Sequence, residues 1–123
     1  MNYKLLYIED DQDLAESVAV ALSDFCDVDC ASTLKAAENL LAQKNYQLVL
    51  CDKFLPDGDG MYFCIEIKDR YPQMAVLYTT GDTDIESKIS GLASGALDYL
   101  IKPFDLRELR IRIKKGLESQ LTT

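Results

Sequence analysis

Histidine is absent from this 123-residue chain, and cysteine occurs only as Cys26, Cys30, Cys51 and Cys64. Cys26 and Cys30 form a C-x3-C pair, but without histidine or a second such pair no zinc site can be completed. Cys51 and Cys64 lie in apolar contexts, and the thiols read as buried and reduced. Positive charge is also scarce: 13 lysines and arginines face 21 acids, a net charge of −8. So acidic a domain lacks the clustered cations that hold a phosphate backbone, which argues against nucleic-acid binding by this domain. The same imbalance leaves surplus carboxylates for a cation. No apolar run approaches the roughly 20 residues that cross a bilayer. Acids interrupt the N-terminal MNYKLLYIEDD too early for a signal peptide. The reading is a cytoplasmic protein with no membrane partner. No repeat, low-complexity segment or internal linker divides the chain, so residues 1–123 are expected to form one domain around a single core.

What is present alternates in period. YKLLYI, from Tyr3 to Ile8, predicts a first strand that stops at Glu9, Asp10 and Asp11. Leu14, Val18, Ala21, Leu22 and Phe25 then recur at helical spacing. DVDCA predicts a short second strand, and Ser32 is the expected N-cap of a second helix with Leu34, Ala37, Leu40 and Leu41 on one face. Leu48, Val49 and Leu50 predict a third strand buried on both faces. A third helix is expected after its cap Asp59, striped by Met61, Cys64, Ile67 and Tyr71 and stopped by Pro72. MAVLYT predicts a fourth strand. Thr83 with Glu86 makes a capping-box pattern for a fourth helix carrying Ile85, Ile89 and Leu92, and Gly95 is its stop. DYLI predicts a fifth strand. Asp105 and Glu108 open a last helix lined by Leu106, Leu109, Ile113 and Leu117, and the residues from Ser119 onward read as a fraying tail or a cut linker. Five β-α units with helix-length crossovers predict a parallel sheet covered on both faces, an α/β fold.

One stretch organises the rest: QLVLCDKFLPDGDG, Gln47 to Gly60. It runs as a buried strand, ends at Asp52, and empties into turn residues. Ligands of open parallel sheets bind at the carboxyl ends of the strands. Those ends deliver Glu9, Asp10 and Asp11 from the first strand, Asp52 from the third, Thr79 and Thr80 from the fourth and Lys102 from the fifth. Taken singly, each has a structural explanation as a cap, a surface charge or a β-branched strand end. For Asp11 that explanation, an exposed charge or a cap, is preferred. Converging on one edge, Glu9, Asp10 and Asp52 against Lys102 leave two negative charges uncompensated, a site for a divalent cation such as magnesium. Lys102 is a mobile point charge suited to a phosphate oxygen, and a threonine hydroxyl donates to another. Such a set suits a nucleophilic Asp52 that takes a phosphoryl group as an aspartyl phosphate.

IEDD, LVLCDKFLPDGDG, LYTTG and DYLIKPF together resemble the receiver domain of two-component response regulators, and the likeness covers essentially the whole chain. The resemblance implies a flavodoxin-like (βα)5 doubly wound sheet of strand order 2-1-3-4-5. It implies that Asp52 is the phosphoacceptor. Asp10 would be the more direct Mg2+ ligand, Glu9 would act through water, and the backbone carbonyl of Phe54 would complete the protein ligands. Thr79 would be the switch hydroxyl, Tyr99 the switch aromatic, Lys102 the family's lysine and the bond before Pro103 cis. Implied partners are a sensor histidine kinase or phosphotransfer protein of a phosphorelay, and an output domain or downstream protein. Lys53 and Thr80 depart from the family pattern, which usually has an apolar residue and often alanine there. KPFDLRELRIRIKKGL resembles receivers joined to winged-helix transcription factors, which dimerise through helix four, strand five and helix five. Lys88 with Glu108, and Asp98 with Arg112, stand where pairs would cross such a dimer; ordinary solvated helix charges explain them equally well.

Other functions fit the residues less well. A phosphatase with an aspartate nucleophile needs a second aspartate two residues on, where this chain has Phe54. A flavin carrier on the same fold needs a phosphate-cradling loop after the first strand, and IEDDQD would repel a phosphate. A receiver-like interaction module never regulated by phosphorylation is the remaining alternative. The reading is therefore a phosphorylation-controlled signalling module, not an enzyme beyond its own phosphoryl acceptance and hydrolysis.

Overall fold

Near-continuous apolar runs in the inner strands, buried on both faces, decide the architecture. A computed structural model of the chain describes residues 2–81, 83 and 85–120. Strands β1 (Tyr3–Ile8), β2 (Cys26–Ala31), β3 (Leu48–Asp52), β6 (Ala75–Thr80) and β7 (Asp98–Ile101) form one parallel sheet. Two two-residue strands, β4 (Phe54–Leu55) and β5 (Gly58–Asp59), make a small antiparallel ribbon just after β3. The helices are α1 (Gln12–Leu22), α2 (Leu34–Gln43), α3 (Gly60–Arg70), α4 (Ile85–Ala93) and α5 (Leu106–Gln120). The sheet order β2-β1-β3-β6-β7 is, with the ribbon set aside, the expected 2-1-3-4-5. Among the described residues no helix is long and apolar enough to cross a membrane.

Two cores sandwich the sheet. Leu5, Tyr7, Leu48, Leu50 and Leu77 pack on one face against Val18 and Leu22 of α1 and Leu109, Ile113 and Leu117 of α5. Leu6, Ile8, Val49, Cys51, Val76 and Tyr78 pack on the other against Ala37 and Leu41 of α2 and Met61, Cys64 and Ile67 of α3. Each fully buried side chain of this size contributes about 1.5–3 kcal/mol before chain entropy is subtracted. The central strand β3 is buried at all five residues, as its unbroken apolar run requires.

Local chemistry sets the helix starts. The Asp11 carboxylate accepts the Leu14 amide at 3.1 Å, so this acid is a cap. Asp59 accepts the amides of Met61 and Tyr62. The cap of α2 is Thr33 rather than the expected Ser32: its extended backbone aims Oγ1 at the Ala36 amide, 3.0 Å away. Gly95, at φ 103°, ends α4 as expected. The Thr83–Glu86 capping box spans residue 84, which lies outside the described residues, as do residue 82 and residues 121–123. Ser119 and Gln120, expected in a tail, belong to α5.

Two expectations fail for physical reasons. Cys30 is exposed, next to last on the edge strand β2, although Cys26 on the same face is buried, as are Cys51 and Cys64. The apolar stripe of α4 does not enter the core: Ile85 and Ile89 are 68% and 60% exposed, and the helix buries only Gly91.

The β3–α3 connection is tied down by backbone. The Gly60 amide donates to the Lys53 carbonyl at 2.7 Å. Asp57 reaches sideways to accept the Leu34 and Lys35 amides of α2 at 2.8 and 3.0 Å, and the Leu34 bond holds its carboxyl below the usual range. A Cβ on Gly60 would lie 2.0 Å from the Asp52 carbonyl oxygen and 2.7 Å from Cys51 Sγ. Gly60→Ala should therefore cost about 3 kcal/mol or more in urea unfolding, since the clash is with backbone that cannot turn aside. A loss below about 1 kcal/mol would show that the loop relaxes freely.

Candidate phosphoacceptor site

Register brings the site together. Asp52 and Thr79 are directly paired across β3 and β6, and Ile8 pairs with Cys51, so Glu9 leaves β1 at the level of Asp52. Strand alternation then puts Glu9, Asp52 and Thr79 on the α1/α5 side of the sheet. Lys102 follows β7 directly, its amide donating to the Thr80 carbonyl at 2.7 Å, and the Lys102–Pro103 bond is cis as the family resemblance implied.

The charges interlock. Lys102 Nζ lies 2.9 Å from Asp52 Oδ2 and forms a short ion pair with Glu9 Oε1. Glu9 is 2% exposed and Asp52 6%, whereas Asp10 is exposed. Oε2 of Glu9 accepts the Asp11 amide at 3.1 Å, and the Tyr7 hydroxyl lies 3.4 Å from Oε1. Burial pushes the Glu9 carboxyl up against the opposing pull of Lys102 and the Asp11 amide. Burial alone would lower Lys102, but its bonds to Glu9 and Asp52 outweigh that and raise it, so the ammonium stays charged. Burial, then the charge of Glu9, pushes the Tyr7 phenol up.

One carboxylate oxygen from each of Glu9, Asp10 and Asp52 fits within 4.8 Å of the others. Three hard oxygen donors that close, with an open side at Asp10, suit Mg2+, which keeps several waters. Phe54 sits at the rim, its amide 3.4 Å from Asp52 Oδ1. Thr79 is wholly buried, and among the described residues its hydroxyl has no hydrogen-bond partner. Such a hydroxyl costs about 1–3 kcal/mol while it lacks an acceptor. Thr80 is buried as well.

Sequence reasoning passed over two residues here. Lys53 was noted only as a departure; its ammonium donates to Ser87 Oγ of α4 at 2.9 Å and lies 5.2 Å above the Phe54 ring. Tyr7 was read only as part of a strand, and its place two residues before Glu9 on the same face was the available signal. Tyr99 is buried, with its ring 6.1 Å from that of Tyr78. Asp98 and Arg112 form an ion pair within the chain, and Arg112 also holds Glu108 at 2.9 Å. Lys88 is exposed on α4, outside that network.

A profile for the response regulator receiver domain matches residues 5–114. The chain belongs to that family. It is 41% identical over 112 residues to the transcriptional regulatory protein PmrA of Pectobacterium parmentieri, and 38% to BasR of Escherichia coli K12. Each match covers 90% of this receiver and 50% of the relative, so the chain spans about half the length of these curated relatives. A receiver domain protein (CheY-like) from Methanospirillum hungatei superposes with a TM-score of 0.93 at 26% identity, covering 99% and 98% of the two chains. The receiver is thus a flavodoxin-like signalling domain of the two-component type, with an acidic cluster where its family binds Mg2+.

Metal should stabilise this receiver, because two buried carboxylates and Asp10 share one ammonium. Millimolar Mg2+ should raise the thermal midpoint, by about 2.7 kcal/mol of stability at a hundredfold excess over Kd. Asp52→Asn should raise the metal-free midpoint and shrink the increment. Absence of a shift both on adding Mg2+ and on making Asp52→Asn would refute the charge argument.

Proposed function

We propose that residues 1–123 form one receiver domain that accepts a phosphoryl group on Asp52 from the phosphohistidine of a sensor kinase or phosphotransfer protein. The observation that carries this reading is the pairing in register of a buried carboxylate with a buried, unsatisfied Thr79 hydroxyl beside Lys102. The P–N bond to the donor imidazole breaks as an Asp52 oxygen bonds to phosphorus. Asp10, Asp52, the Phe54 carbonyl and, through water, Glu9 would hold Mg2+, which would supply positive charge beside the transferring group. Lys102 exchanges its bond to Asp52 for a phosphoryl oxygen, and Thr79 donates to another. No general base is needed, since the attacking carboxylate is already ionised. The domain is a substrate and acceptor in this scheme rather than an enzyme acting on others.

The target is an output domain or downstream protein, in keeping with relatives named transcriptional regulatory proteins. The responsive surface is the face of α4, β7 and α5. There Ile89, Leu92, Leu97 and Ile111 are exposed beside Asp98, Glu108, Arg112 and Lys88. In a phosphorylation-dependent homodimer, Arg112 would exchange its in-chain partner Asp98 for Asp98 of a second copy, and Glu108 would pair with Lys88 of that copy. A receiver-like module indifferent to phosphorylation is the rival, and it gives no reason for a buried Asp52 beside a mobile ammonium.

Acetyl phosphate with Mg2+ should add one acid-stable, base-labile phosphoryl group, and Asp52→Asn should abolish uptake as read by intact mass. Uptake at wild-type rate in that variant would move the acceptor elsewhere.

The switch follows from the same geometry. If Thr79 turns toward a phosphoryl oxygen it vacates space beside β7, into which Tyr99 can turn. A beryllofluoride adduct should alter the Tyr99 ring signals or raise self-association, and Thr79→Ala should blunt both. Unchanged Tyr99 spectra and unchanged sedimentation would place signalling on another surface.

A further inference from the structure

The row of side chains just beneath the phosphoacceptor level is Tyr7, Leu50 and Leu77, in register across β1, β3 and β6. Leucine would satisfy packing at all three places. A fully buried phenol in that row adds a polar atom that costs free energy unless it is satisfied. The neighbour that satisfies it belongs to the site above: Glu9 Oε1 at 3.4 Å. Glu9 is thereby fixed at both oxygens, Oε2 by the Asp11 amide and Oε1 by Lys102 and Tyr7.

We propose that Tyr7 is a positioning residue of the phosphoacceptor site, a floor that fixes the Glu9 carboxylate. The inference rests on the receiver reading above and adds a residue to it. A phenol has one hydrogen, and here Glu9 Oε1 takes it. When Lys102 turns to a phosphoryl oxygen, Tyr7 and the Asp11 amide are the donors that still hold the carboxylate's plane.

Tyr7→Phe tests this with almost no change in volume, and Tyr7→Leu, which matches Leu50 and Leu77, serves if the first variant folds poorly. Mg2+ is titrated into the wild type and both Tyr7 variants, followed by amide NMR. The Asp11 amide, bonded to Glu9, is the reporter. The half-saturating Mg2+ concentration should rise roughly threefold to tenfold in Tyr7→Phe, the range expected for one buried hydrogen bond. The Asp11 signal should shift without metal, since that amide is bonded to the Glu9 carboxylate. Half-saturation within twofold of wild type in Tyr7→Phe, with an unmoved Asp11 signal, overturns the proposal. The same samples are treated with acetyl phosphate. A wild type that binds Mg2+ and takes up phosphate while Tyr7→Phe matches it sinks this inference alone. A wild type that does neither sinks the receiver reading and this inference with it.

Discussion

The carboxyl edge of the sheet depends on one ammonium held between two buried carboxylates. Glu9 and Asp52 are nearly inaccessible, and a buried charge left unpaired costs several kcal/mol. Neither acid is tolerable there without Lys102, and Lys102 arrives from the far end of the chain, more than ninety residues after Glu9. The fold is therefore committed to closing β7 beside β6 before the site can be neutral enough to persist. The Thr80–Lys102 backbone bond fixes where the ammonium starts, and its partial exposure leaves it able to change partners.

Much of this was legible in the sequence because the sheet is parallel and every crossover is helical. Once YKLLYI, LVLCD, AVLYT and DYLI are read as strands, their ends must align, and Glu9, Asp52, Thr79 and Lys102 meet whatever the details. The misses are of another kind. Ser32 and Thr33 have the same capping chemistry, and only the backbone at Thr33 decides between them. Asp57 reads as a turn residue, yet its carboxylate ends on the amides of α2, a contact with no signal in local spacing. Asp98 and Arg112, one of the two pairs expected across a dimer, also meet within one chain, where Glu108 is a second partner of Arg112, because residues four apart on a helix are neighbours and β7 runs alongside. Tyr7 disappears into a strand pattern in which any large apolar residue would look the same.

Helix α4 exposes a limit of periodicity. Its stripe has the right spacing for a core helix, but spacing says only that a face exists, not that another element covers it. The helix is instead brought close by a gap in its side chains: a Cβ at Gly91 would stand 3.0 Å from Met61 Cε and 3.4 Å from the Tyr78 ring. Beyond that contact, a polar bond from Lys53 to Ser87 ties α4 to the residue that follows Asp52. Compared with α3, which buries four residues, α4 buries only one.

That shallow burial bears on how a small change at Asp52 reaches a surface. Ile85 and Ile89 are already mostly in water, so shifting α4 forfeits little of the apolar burial that fixes the other helices. Among the described residues, contacts around Gly91 and the Lys53–Ser87 bond stand on the opposing side, each of order 1 kcal/mol. The buried Thr79 hydroxyl recovers about 1–3 kcal/mol on gaining an acceptor, which is the size of gap that separates the two states of a switchable element. Had α4 buried its stripe as α5 does, each isoleucine would add about 1.5–3 kcal/mol to the opposing side, and one hydroxyl could not move it. The exposed stripe and the unsatisfied threonine are on this argument two halves of one balance.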